Sequence, residues 1–287
     1  MEKIVIEGIE LELMPPDSID IKWVGNHFVK DQLKAAWLKV HPDDLPLNPR
    51  LIGKPGVGKT TLACAVAQEM QKPFWIFQAT MDTRPEDLLI TPVISQEGKI
   101  KYVASGIVTA MIKGGVAILD EGNRMGEKSW ASLAPLLDHR RYIESIIVGI
   151  KIKAHEDFRF VTTMNEDAST FEVPEYIQSR LQPSIYIDFA DADEEIEILK
   201  ANIPFSPPEV IHYVVRFLQR AHFEDEPFSI RDGINITRLI LKLAYQKNYI
   251  DFNQKKQKLK EKQLIELMHI AVQNVLGDEA LRYLESL

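Results

Sequence analysis

The chain has 287 residues, enough for one large domain or a large and a small one. With 45% hydrophobic and 26% charged residues it has the make-up of a soluble globular protein, and no apolar run approaches the ~18 residues that would cross a bilayer. The formal charge of −8 argues against an overall electrostatic grip on nucleic acid, though not against a local basic channel built from several subunits, and the single cysteine, Cys64, excludes an internal disulfide or a cysteine-rich metal site.

In chain order, Met1–Glu12 mixes charge into alternating apolar residues, unlike a signal peptide, and together with the composition predicts a cytoplasmic protein without a membrane span. Up to about residue 190, short β-rich runs alternate with helical stretches, the pattern of a wound parallel α/β sheet. The predicted strands are Leu51-Ile52, Phe74–Gln78, Val116–Leu119, Phe158–Met164 and Ile185–Phe189. The predicted helices between them are Lys59–Met70, Lys128–Leu137 and Pro174–Leu181. Pro46 and Pro49 crowd the approach to the first strand and predict that it is short. Two segments exceed a minimal wound sheet and predict inserted hairpins: residues 82–110, and residues 142–153 with alternating Ile146, Val148, Ile150 and Ile152 around Gly149.

After Asp191 the pattern becomes helical: Glu194–Ala201, Pro208–Ala221, Ile234–Gln246, Gln263–Leu276 and Glu279–Leu284. The chain therefore divides into a large α/β domain at 1–190 and a small all-α domain at 191–287. The basic run Lys255–Lys262 predicts a solvated start to a helix, with an acidic partner as the alternative. Trp23, Trp37, Trp75 and Trp130 are scattered as core or interface residues would be, and the seven histidines lack metal-ligand spacing. Tyr102–Ile107 is expected to pack internally, the alternative being a segment that faces a pore and touches a substrate.

Gly53-Lys54-Pro55-Gly56-Val57-Gly58-Lys59-Thr60 satisfies G-x-x-x-x-G-K-[ST] in full, between a predicted strand and a predicted helix. The glycines let successive backbone N–H groups curl around phosphate oxygens at a distance that a Cβ would forbid. Lys59 is expected on the β- and γ-phosphates, the Thr60 hydroxyl on Mg²⁺, and Thr61 on the α-phosphate side. The helix that starts at Lys59 adds its positive dipole end. About 60 residues on, the apolar strand Val116–Leu119 ends in Asp120-Glu121. Asp120 would hold Mg²⁺ through its water shell, and Glu121 would polarise an attacking water, which predicts nucleotide hydrolysis.

With these motifs in place, the sequence resembles the AAA+ ATPases, and within them the MoxR-like, dynein-related branch. Asp120-Glu121-Gly122-Asn123-Arg124 is similar to that branch's Asp-Glu-x-Asn-Arg, with Gly122 where an aliphatic residue is commoner. The inserted segment Asp82–Leu88 and the hairpin ahead of Phe158 also match, and the resemblance covers most of residues 20–245. It implies a P-loop NTPase sheet followed by an α-helical lid, ATP as the nucleotide, Mg²⁺, and a ring of subunits, in the first instance a hexamer. Asn165, ending Phe160–Met164, would be the first sensor that orients the lytic water. Arg180, in Pro174–Leu181, would be the arginine finger for a neighbour's γ-phosphate, with Arg124, Arg140 and Arg141 as alternatives. Arg231, in Ser229-Ile230-Arg231-Asp232, would be the second sensor, and Val24-Gly25-Asn26 stands where the family places the adenine. The implied function is ATP hydrolysis coupled to remodelling of a partner protein, such as one carrying a von Willebrand factor type A domain. A nucleic-acid motor of a restriction or defence system and a nucleotide-gated scaffold with little turnover are the other readings; nucleic acid is not indicated by any motif.

Overall fold

The computed structural model describes residues 2–19, 23–166, 171–251 and 258–284. They form two compact units, one of the described residues within 1–23, 27–53 and 58–187, the other of those within 24–26, 54–57 and 188–287.

The first unit opens on the strands β1 (Glu2–Ile6) and β2 (Ile9–Leu13), followed by α1 (His27–Trp37), β3 (Arg50–Gly53), α2 (Lys59–Glu69) and β4 (Phe74–Gln78). Next come the single turn α3 (Pro85–Leu88), the hairpin β5 (Ile90–Ile94) and β6 (Ile100–Ala104), α4 (Gly106–Lys113), β7 (Val116–Asp120) and α5 (Glu127–Leu133). The hairpin β8 (Tyr142–Ser145) and β9 (Ile150–Lys153), then β10 (Arg159–Asn165), α6 (Glu175–Gln178) and β11 (Ser184–Tyr186) complete it.

Five strands make a parallel sheet in the order β11-β3-β10-β7-β4. Every residue of the central β10 is buried, as a strand covered on both faces requires, which is why its sequence is a near-continuous run rather than an alternation. Thr162 and Thr163 are tolerated there because each hydroxyl finds an acceptor, Leu119 O and the Asp120 carboxylate. Trp37 is fully buried and ties α1 to the sheet, its indole N–H donating to Phe160 O at 3.0 Å. Trp75 and Trp130 are buried likewise. Cys64 is buried within α2 as a packing residue, and burial first, then Asp120, pushes its thiol up to about 12.

Some elements differ from the sequence-based expectation. The N-terminal alternation is a β-hairpin, turned at Glu7 and Gly8 with φ of 50° and 82°. Two left-handed residues are what a two-residue type I′ connection needs, and a glutamate in the first position hides the signal. This hairpin extends the inserted one into a four-stranded mixed sheet, β1-β2-β6-β5, with Leu11 opposite Tyr102. Leu11 and Leu13 share a core with Ile90, Ala104 and Ile107, so Tyr102–Ile107 packs internally. In the second hairpin, Ile146 and Val148 lie in the connection rather than on a strand, and Ile146 is 93% exposed. α5 stops at Leu133 instead of running to Leu137, two residues ahead of Pro135, which has no N–H to bond back.

The second unit is helical: α7 (Ala192–Asn202), α8 (Pro208–Phe223), α9 (Ile230–Gln246) and α10 (Glu261–Leu276), with a 3₁₀ segment at Asp278–Tyr283 where a last helix was expected. Leu199, Val214, Leu218, Ile236, Ile240 and Met268 are among its buried core. α7 starts at Asp191 because that carboxylate caps it, accepting from Glu194 N at 2.9 Å. α9 starts with a reciprocal box between Ser229 and Asp232. Of the basic run, residues 255–257 lie outside the described residues, and Lys258 and Lys260 are exposed ahead of α10. No helix among the described residues is long and apolar enough to cross a membrane.

Within this unit Glu195 is 1% exposed and accepts from the Gln219 amide at 3.0 Å. Burial pushes its carboxyl up to about 7; the Gln219 hydrogen bond pulls the other way, and Asp191 adds to the rise. The folded state therefore holds a proton that the unfolded chain releases near 4.5, so stability falls as pH rises from about 4.5 to about 7. Glu195→Gln is expected to gain on the wild type over that interval by on the order of 2–3 kcal/mol in urea unfolding. A difference between the two proteins that is flat with pH would show that Glu195 is ionised in the fold.

Candidate functional site

The register of three neighbouring strands builds the site. β10 pairs with β3 so that Asn165 lies opposite Gly53, and with β7 so that Thr162 lies opposite Leu119. Gly53 and Asn165 thus end level, with Asp120 beside Thr163 two residues short of them, at the carboxyl edge of the sheet, where open α/β sheets bind ligands.

From Gly53 the chain turns through the glycine loop into α2. Gly56 and Gly58 have φ of 83° and 96°, a left-handed conformation that a side chain would strain. A Cβ at Gly58 would press to 3.2 Å on the Trp23 ring. Lys54–Val57 group with the second unit, where a Cβ at Gly56 would overlap the Ser229 side chain and come within 3.6 Å of Arg231 Cβ. Lys54 there sits 4.7 Å above the Phe189 ring, which stacks on His222.

α2 itself is unusual at its start. Its N-cap is Gly58, no side chain caps it, and no acid occupies its first turn, whereas α4, α7 and α9 have a serine or aspartate in that place. The orphan N–H groups and the positive dipole end are therefore left to an anion. Lys59 is 6% exposed and donates to Gly53 O at 2.8 Å, so a cation is held at the mouth of the same loop. These features fit a polyphosphate.

The carboxylates are bound into one network. Asp120 Oδ1 accepts from the Thr60 hydroxyl at 2.5 Å and from the Thr163 hydroxyl at 2.7 Å. Thr163 Oγ1 in turn accepts from Glu121 N at 2.8 Å, so one hydroxyl fixes both acids. Glu121 is left-handed, with φ of 53°, a conformation costing about 1–2 kcal/mol in a non-glycine residue. Its carboxylate then accepts from Asn165 Nδ2 at 2.9 Å on one oxygen and from Arg124 Nε at 2.5 Å on the other. Asn123 braces the opposite side: its amide donates to Asn165 O at 2.8 Å and accepts from Asn165 N at 3.3 Å. Thr60 and Asp120 meet as oxygen ligands for Mg²⁺ would, with water and phosphate completing the shell; no group of three or more His, Cys, Asp or Glu side chains among the described residues forms a metal cage.

Lys59, Thr60, Thr61, Asp120, Glu121 and Asn165 thus share one edge of the first unit. Arg180 stands apart from that network. Its Nε donates to Asp138 Oδ2 at 3.4 Å, its Nη1 donates to Tyr176 O, and its guanidinium lies 5.9 Å from the Tyr176 ring centre. Arg140 makes a forked pair with the same Asp138. Arg141 is buried and donates to Phe158 O at 2.9 Å, and burial draws its guanidinium down to about 10. Arg231 lies in the first turn of α9 in the second unit. From the sequence Thr163 was given no role, and Asn123 none beyond its place in the Asp-Glu-x-Asn-Arg motif. The available signal was the polar pair Thr162-Thr163 inside a buried strand, since a buried hydroxyl needs a partner.

Gly122 also has a physical reason. A Cβ there would overlap Thr162 Oγ1 and stand 3.0 Å from the Trp130 ring, so the space an aliphatic residue would take is already filled. Gly122→Ile is therefore expected to cost about 1–3 kcal/mol or more by overpacking, seen as a lowered urea midpoint at unchanged m-value. A variant as stable as the wild type would remove this account.

Residues 50–181 match the AAA domain of the dynein-related subfamily. The chain is 26% identical over 188 residues to midasin of Giardia intestinalis, covering 64% of this chain and 4% of midasin. It is 26% identical over 217 residues to the gas vesicle ATPase GvpN1 of Halobacterium salinarum, covering 65% of this chain and 57% of that protein. The chain thus spans little more than half of GvpN1 and a small part of midasin. Among solved structures, the RuvB Holliday junction branch migration motor of Thermotoga maritima superposes with a TM-score of 0.59 at 17% identity, over 89% of this chain and 72% of RuvB. At that identity the likeness concerns the fold alone.

Proposed function

We propose that this chain, an AAA+ protein of the MoxR-like, dynein-related type, hydrolyses ATP with Mg²⁺ as one subunit of a cytoplasmic ring and uses the cycle to remodel a partner protein. The observation that carries the reading is the network of Thr60, Asp120, Thr163, Glu121 and Asn165 beside a helix end that no side chain caps.

ATP would lay its phosphates on the loop N–H groups and the start of α2, with Lys59 on the β- and γ-oxygens. Thr60 and Asp120 would hold Mg²⁺, whose part is to neutralise charge on the phosphates. Glu121 would take the proton of the attacking water, and Asn165, already within hydrogen-bond reach of that carboxylate, would orient the water. Arg124 now occupies the other oxygen of Glu121, which in this state leaves the base engaged in an ion pair.

The ring is proposed from the family resemblance, with Arg124 paired to Glu121 in cis. Arg180 is held elsewhere by Asp138 and Tyr176, so the arginine that steadies transition-state charge would come from a neighbour. Arg231 is the proposed phosphate sensor of the second unit. The partner is proposed from the family resemblance: a protein with a von Willebrand factor type A domain, captured with ATP when hydrolysis is blocked.

Glu121→Gln is expected to bind ATP with unchanged affinity while phosphate release falls by about 10²-fold or more, and Lys59→Ala to lose ATP binding. Specific activity of the wild type should rise with protein concentration as subunits assemble. Equal phosphate release by wild type and Glu121→Gln would show that hydrolysis does not run through Glu121, and stimulation by DNA in place of a protein would sink the remodelling reading.

A further inference from the structure

Asp138 lies in the turn after α5 and has a part that the hydrolytic network does not use. Its side chain is 12% exposed, while the two guanidiniums on it, Arg180 and Arg140, are 28% and 42% exposed. The carboxylate is thus the inner member of the cluster and the cations face outward.

The geometry is built from several directions. Arg140 Nε donates at 3.0 Å and 3.1 Å to the two carboxylate oxygens, Nη2 donates at 2.7 Å, and the Arg140 backbone N–H donates at 2.9 Å. Arg180 Nε reaches the same Oδ2 at 3.4 Å. A buried amide, Asn48, joins the two backbones as well, donating to Leu137 O at 2.9 Å and to Arg180 O at 3.4 Å. The Arg140 hydrogen bond holds the Asp138 carboxyl down at about 2, so it remains charged across the physiological range.

A surface ion pair that serves stability alone is weak and needs one partner. Here a second cation is brought onto the same acid, where the two guanidiniums repel, and the cluster keeps one positive charge in excess. Nε and Nη2 of Arg140 and Nε and Nη1 of Arg180 are spent on Asp138 and Tyr176, so the outer N–H groups of the two guanidiniums are what can meet an anion with several oxygens, such as a terminal phosphate. Arg141, next in sequence, is turned inward onto Phe158 O and takes no part.

We propose that Asp138 is a positioning residue for catalysis in trans: it gathers Arg140 and Arg180 into one two-arginine unit that engages the terminal phosphate of ATP bound to the adjoining copy of this chain. The proposal rests on the reading that hydrolysis is completed between subunits. It adds that Arg140 belongs to the same unit as Arg180, and that the acid beneath them sets their aim.

The experiment uses full-length chains and ATP. Asp138→Asn, which keeps the shape, and Asp138→Ala are expected to lower kcat by about 10- to 100-fold, as a misaimed group does, with ATP affinity and ring assembly unchanged. Each is then mixed with Glu121→Gln, whose own site is dead but whose arginines are intact. The mixed ring should release phosphate faster than either variant alone, since the intact arginines would face the intact sites; a misfolded subunit could not be rescued in this way. Arg180→Ala mixed with Glu121→Gln serves as the reference pair. If the reference pair fails to complement, the trans reading itself falls and the proposal with it. If the reference pair complements but Asp138→Asn has wild-type kcat, or its loss is not rescued, Asp138 does not position the arginines. Loss of assembly in Asp138→Asn would make Asp138 an interface residue and likewise overturn the proposal.

Discussion

The register of β10 between β3 and β7 is the constraint from which the site follows. With Asn165 level with Gly53, and Thr162 level with Leu119, the phosphate loop, the acidic strand end and the polar strand end arrive at one edge. A slip of one residue would turn Thr163 away from Asp120 and bring Thr162 or Met164 into its place, because neighbouring strand residues face opposite ways. The rest of the first unit serves this register. Trp37 bonds to β10 from α1, and the buried Thr162 hydroxyl bonds across to β7.

Thr163 shows how little material the site needs. One hydroxyl donates to the carboxylate of Asp120 and accepts from the backbone N–H of Glu121, so the two acids cannot shift independently. The left-handed backbone at Glu121 is strain retained at a site where it aims a side chain. Asn123 then holds the Asn165 backbone from the other side, leaving the Asn165 amide for Glu121. Asn165 and Arg124 thus hold the two oxygens of the Glu121 carboxylate while Thr163 holds its backbone.

Much of this was legible in the chain itself. The glycine spacing in Gly53–Thr60 requires backbone freedom, and that need is local, so the residues announce it. Asp120-Glu121 at the end of Val116–Leu119 is equally local, since a fully buried run can end in charge only at an edge. The wound parallel sheet followed from the alternation of short apolar runs with helical ones. By contrast, the pairing of β2 with β6 joins residues some ninety positions apart, and nothing in Met1–Glu12 names its partner. The role of Trp130 in excluding a side chain at Gly122 was equally hidden, because it is a matter of space between elements.

The arginines divide along the same line. The resemblance offered Arg180 as the arginine finger, with Arg124, Arg140 and Arg141 as alternatives. Packing separates them: Arg124 onto Glu121, Arg141 into the core, and Arg140 with Arg180 onto Asp138. The phosphate loop and its acids were thus determined by the sequence alone, because short-range backbone geometry and strand-end chemistry are written in consecutive residues. Which side chains brace those acids, and which arginines are left facing outward, was decided by tertiary structure, because burial and charge pairing exist only once distant strands and turns are brought together.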